Sequence, residues 1–170
     1  IDADGVLTVS YVPNQHGSAT ITVRADDGAG DTADEGFNVT VTAVNDAPLI
    51  DVIADPTAIL EDAGLQTISL TGIDDGDVLE SQDITVTAIS SNTGLIPDPT
   101  VFYSSDDATG SLTYTPVPDA NGSVVITVTV EDNGNTDNGG EKTTTTTFTV
   151  AVTAVNDPVT LTSVILDYTV

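Results

Sequence analysis

Ala43-Val44-Asn45-Asp46-Ala47-Pro48 returns near the other end of the chain as Ala154-Val155-Asn156-Asp157-Pro158. Each copy closes a run of alternating apolar residues: Phe37, Val39, Val41 and Ala43 before the first, Phe148, Val150, Val152 and Ala154 before the second. From Asp46 to Asp157 is 111 residues, the size of one small β-sandwich. Repetition at a fixed period sets the unit before any fold is considered. It divides the 170 residues into the C-terminal part of one repeat (1–46), a complete repeat (47–157) and the first strand of a following repeat (158–170). Both ends fall inside a repeat, so the chain reads as an excerpt of a longer array.

Working outward from the first mark, residues 6–12, 19–25 and 37–43 alternate with period two and are rich in Val, Ile and Thr. That is the pattern of half-buried antiparallel strands. In the complete unit, strands are expected at 49–53, 57–60, 65–71, 83–90, 100–104, 111–116, 123–130 and 143–155. Turn signals rich in Asp, Asn and Gly separate them. No helical stripe is visible. Seven or so short strands in roughly 100 residues is the arithmetic of an immunoglobulin-like Greek-key sandwich. The expected class is all-β, with tandem sandwiches joined end to end.

Composition narrows the function. There are 22 Asp and 5 Glu against Arg24 and Lys142, a formal net charge of −25. Such charge excludes nucleic acid and anionic membrane surfaces as partners, since both select basic patches. It also opposes the compact state unless cations neutralise it. A solubility coat would scatter acids over exposed strand faces, whereas most of these acids cluster in turns. There is no Cys, hence no disulfide, and neither a signal peptide nor an apolar run of membrane-spanning length is present. Catalysis finds little footing: His16 is the only His, a loop bystander in this reading, and no nucleophile motif accompanies it. Paired carboxylates are abundant, but acids at both ends of a sandwich suit junction metals better than a cleft. Asn38-Val39-Thr40 and Asn121-Gly122-Ser123 match the glycosylation pattern, which chance also supplies.

Strand parity predicts where the acids meet. If a seven-strand sandwich is entered at one end and left at the other, its first loop and its fifth loop share the exit end with the linker that follows. Those segments carry Glu61 and Asp62, then Asp119 and Asn121, then Asn156 and Asp157. The second and sixth loops share the entry end with the arriving linker. They carry Asp74, Asp75 and Asp77, then Glu131 and Asp132, with Asn45 and Asp46 on the linker. Calcium takes about six to eight oxygen ligands in flexible geometry, which such clusters can supply; magnesium fits less well. Without ions the facing acids repel and the linker should flex. The plain alternative for Asp74-Asp75-Gly76-Asp77 is an acidic turn.

The order of these motifs resembles cadherins. Asn45-Asp46-Ala47-Pro48 looks like their interdomain linker. The run from Thr109-Gly110 through Leu112-Thr-Tyr-Thr-Pro116, Asp119-Ala-Asn121 and Glu131-Asp132-Asn-Gly134 looks like their E strand to F–G loop. The closer resemblance is to the tandem cadherin-like repeats of large bacterial surface adhesins, and it covers essentially the whole chain. It implies an extracellular, calcium-stiffened spacer or stalk in a cell-surface adhesin or filament. Ligands carried over would be Asn45, Asp46, Asp74 and Asp77 at the first junction, and Glu61, Asp119, Asn156 and Asp157 at the second. The chain departs from the cadherin pattern at Asn121, at Asn14-Gln15-His16 in the first repeat's matching loop, and in lacking the Ala before Pro158. Expected partners are neighbouring repeats, with a cell-surface glycan or protein as a further target. Two alternatives stand beside this reading. A carbohydrate- or protein-binding module would want stacking aromatics, yet there is no Trp and there are only four Tyr. A filament subunit would complete its partial repeats by strand addition from neighbouring chains.

Overall fold

A computed structural model describes residues 1–2, 4–77 and 81–159. The expected strand at 158–170 lies outside the described residues, apart from Pro158 and Val159. Among the described residues there are nine strands: β1 (Gly17–Asp26), β2 (Thr32–Val41), β3 (Ile59–Leu60), β4 (Gln66–Thr71), β5 (Ile84–Ser90), β6 (Thr100–Phe102), β7 (Thr109–Tyr114), β8 (Gly122–Asp132) and β9 (Thr143–Thr153). The protein is all-β, with one 3-10 turn at Asp137–Gly139. No helix among the described residues is long and apolar enough to cross a membrane.

From β3 onward the strands make two sheets, ordered β3-β9-β8-β5 and β4-β7-β6. Successive strands β3 to β6 alternate between the sheets, as a Greek-key sandwich requires. The alternation seen in the sequence explains the burial. Along β8, Val124, Ile126, Val128 and Val130 are 0–2% exposed, while Val125 between them is 40% exposed. Phe148 and Val150 of β9 face the same core as Leu70 of β4 and Leu112 and Tyr114 of β7. Burying each such side chain contributes about 1.5–3 kcal/mol, and that seals one sheet against the other.

Two expected strands fall short. Residues 49–53 make only a single bridge, Leu49 to Asp74, and one further bond from Asp51 N–H to the Thr71 carbonyl at 2.9 Å. The chain changes sheets here: Asp51 follows β4, whereas β3 pairs in parallel with β9. Pro48 and Pro56 bracket the crossing, and neither can donate to a ladder. Residues 6–12 form no strand. Their sequence counterpart is β7, which lies between β4 and β6, and the segment 1–46 holds no copy of either neighbour.

The hairpin β1–β2 repeats the register of β8–β9. Gly17 faces Val41 and Ile21 faces Phe37, as Gly122 faces Val152 and Ile126 faces Phe148. Gly17 and Gly122 even share positive φ, +133° and +142°, a backbone that a side chain strains. The same pattern is covered in one copy and open in the other: Phe148 is 1% exposed and Phe37 is 41%.

Candidate metal centre

At the exit end, the turn after β3 projects Glu61 and Asp62. It is pinned by Glu61 N–H to the Thr153 carbonyl (3.1 Å) and Ala63 N–H to the Leu60 carbonyl (3.0 Å). The loop before β8 presents Asp119 from a left-handed backbone, φ +61°. The strap leaving β9 brings Asp157. Carboxylate oxygens of Asp62, Asp119 and Asp157 all lie within 4.8 Å of one another, on exposed side chains. The Asp157 carboxyl is held above the usual carboxylate range, first by desolvation, then by its hydrogen bond to Asp119 and the charges of Asp119, Asp62 and Glu61. Neighbouring carboxylates disfavour one another's ionised form in this way.

Glu61 plays a different part. It is 4% exposed, and its Oε1 accepts the Val155 N–H at 2.7 Å, clasping the strap to the turn. Glu61 stands outside the carboxylate trio but within reach of Asp157's charge. Asn121 and Asn156 are exposed and, being amides, add no charge to the trio.

The entry end is built around the first strap. Asn45 is 7% exposed, and its Nδ2 donates to Asp132 Oδ1 (3.2 Å) and to the Glu141 carbonyl oxygen. Glu141 N–H returns a bond to the Asn45 carbonyl at 3.0 Å. Asp132 is 2% exposed and also accepts the Gly134 N–H at 2.8 Å. The Asp74-Asp75-Gly76-Asp77 segment is a self-capped loop. Asp74 Oδ1 accepts the Gly76 N–H (2.9 Å), and the two oxygens of Asp75 accept the N–H groups of Asp77 (3.2 Å) and Gln82 (2.9 Å). Gly76 sits at φ +81° against the strap, where a Cβ would fall 2.3 Å from the Ala47 carbonyl oxygen. Asp46 and Asp77 line one cleft of about 250 Å³ with Tyr11, Asn14, Gln15 and His16. Asn14, at φ +55°, occupies the first repeat's counterpart of Asp119.

The structure thus brings Asp62, Asp119 and Asp157 together at one end, and Asn45 with Asp132, and Asp46 with Asp77, at the other. It turns Asp74 and Asp75 toward their own loop's backbone. All of these donors are oxygens, the set a hard cation such as calcium takes. Two further polar atoms, Asn45 Oδ1 and Gln82 Oε1, are buried without a partner. Gln82 belongs to no motif in the sequence, and its burial arises only from folding.

No protein-family model matches the chain, and no curated protein is similar to it. Among solved structures, the chain is similar to domains 1–6 of the surface layer protein SbsC, at 21% identity and a TM-score of 0.38, over 84% of this chain and 17% of that one. A structure of SbsC domains 4 and 5 is similar at 22% identity and a TM-score of 0.34, over 80% of this chain and 58% of that one. The chain spans under a fifth of the longer relative. Likeness at this level leaves the function to be read from the site itself.

Proposed function

We propose that this chain is a non-catalytic spacer from an extracellular, cell-surface array of cadherin-like β-sandwiches, stiffened by calcium where repeats meet. The observation that carries the reading is the convergence of Asp62, Asp119 and Asp157 from three separate segments, one of them the strap leading out. Like charges at such separation destabilise the end of the sandwich unless a cation lies among them. A bound calcium would neutralise them and tie two loops to the strap, turning a hinge into a joint. Asp46 and Asp77 in the cleft beside Asn14 support a second, less acidic junction at the entry end. The partners in this reading are the neighbouring repeats of the same chain or fibre.

A thermal melt in chelator and across calcium from about 10 µM to 10 mM tests this, the upper range being that of extracellular modules. A melting temperature that rises and saturates with calcium, hardly responds to magnesium, and loses most of its response in Asp157→Asn and Asp119→Asn supports it. A melt indifferent to calcium sinks it, and the acids are then a solvated coat.

A further inference from the structure

We propose that Gln82 is a cation ligand, its Oε1 forming with Asn45 Oδ1 a buried, uncharged pair of oxygens beside Asp132 at the entry end. The inference rests on the calcium reading above and goes beyond it by naming a ligand residue that no motif contains. Four observations lead there.

The orientation of Asn45 is settled by its donors. Nδ2 faces the Asp132 carboxylate and the Glu141 carbonyl, both pure acceptors. Reversing the amide would set oxygen against oxygen, so Oδ1 must point the other way. There it meets Gln82 Oε1, and both atoms are buried and unpartnered. Residues this covered, 7% and 8% exposed, do not leave an acceptor unmet without cost.

Both oxygens flank one spot. A Cβ built on Gly134 would lie 1.8 Å from Asn45 Oδ1 and 2.6 Å from Gln82 Oε1. Gly134 does not have the positive φ that demands glycine elsewhere in the chain. Room, rather than backbone conformation, is what excludes a side chain there. The two acceptor oxygens are packed against the same face of Gly134.

Charge completes the argument. Asp132 is 2% exposed, and the donors drawn to it are neutral, Asn45 Nδ2 and Gly134 N–H. Lys142 senses its charge, but the ammonium is bound to Glu131 at 2.5 Å. A cation held by Asn45 Oδ1 and Gln82 Oε1 would satisfy both amides, one of which already carries the buried carboxylate on its other atom. Neutral amide ligands also suit a large, loosely hydrated divalent ion over magnesium, which keeps its waters.

The test is calcium binding by isothermal titration calorimetry on the whole chain, comparing wild type, Gln82→Leu, Gln82→Glu, Gly134→Ala and the exit-end variant Asp157→Asn. The proposal expects at least two classes of site. Gln82→Leu should weaken one class tenfold or more and leave intact the class that Asp157→Asn removes, and Gln82→Glu should restore binding. If wild type and Gln82→Leu bind calcium identically while Asp157→Asn loses a class, the calcium reading stands and this proposal falls. Gln82 is then a structural partner whose Nε2 bonds to Asn45. If wild type binds no calcium, both fall. Should Gln82→Leu fail to fold, Gly134→Ala carries the test by pushing both amide oxygens out of place, and unchanged binding in it overturns the proposal.

Discussion

The Asn45 carboxamide lies 3.2 Å from the Asp132 carboxylate, although 87 residues separate them. This bond fastens the segment around Asn45 to the sandwich that follows, before any ion is considered. Replacing Asn45 by Ala removes the donor and leaves a buried carboxylate short of a partner. Loss of about 1.5–3 kcal/mol is expected, measured by denaturant unfolding in chelator. A change under half a kcal/mol would mean that the strap is not held here.

Glu61 and the Val155 N–H form the matching clasp at the other end. Glu61→Gln keeps an acceptor oxygen and removes a charge next to Asp157. It should fold as stably as the parent in chelator, or more so. Glu61→Ala should lose about 1–3 kcal/mol, since the buried acceptor goes. Equal melts for the two variants would contradict the clasp.

Gly76 and Gly64 make a controlled pair. At Gly76 the positive φ and the nearby Ala47 carbonyl both oppose a methyl group, whereas Gly64 has open space and no positive φ. Gly76→Ala is expected to cost more than about 1 kcal/mol, and Gly64→Ala to be neutral or mildly stabilising. Reversal of that order in paired melts would overturn the account of the Asp74-Asp75-Gly76-Asp77 loop.

The pH dependence without calcium follows from opposite shifts. Asp157 is raised, so ionising it opposes the folded state. The stability it contributes is present at low pH and is lost as pH rises through its folded value. Asp27 is lowered, chiefly by the Ala29 and Asp31 N–H groups, and Asp34 by Arg24. Their contribution is present above the ordinary carboxylate range and lost below it. In chelator, melting temperature should therefore rise on acidification from neutrality to just above the usual Asp value, then fall. Saturating calcium should erase the rise. A rise that persists unchanged with calcium would place the repulsion elsewhere.

Ile126 and Ile21 hold the same place in two copies of one hairpin, facing Phe148 and Phe37. Ile126 is fully buried in the sandwich, and Ile21 is only half-buried. Ile126→Ala should cost about 2–5 kcal/mol in global unfolding, and Ile21→Ala far less. Comparable losses would show that the β1–β2 face is covered in solution.

The sequence by itself determined the all-β class, nine of its eleven expected strands to within a few residues for most of them, and the two ends where acids collect. Period-two alternation and turn residues are local signals, and the Phe37 and Phe148 copies carry them identically. It could not tell that Leu49 and Asp51 would bond along β4 while Ile59 and Leu60 cross to β9, because that depends on which neighbour each backbone group meets. Nor could it distinguish the roles of acids of one type. Asp119 and Asp157 face each other, Asp74 and Asp75 cap their own loop, and Glu61 clasps a backbone N–H, according to angles that only the folded loops set. Gln82 was illegible altogether. Its oxygen matters because the packed chain buries it beside Asn45 over a glycine, and burial is a property of the tertiary structure alone.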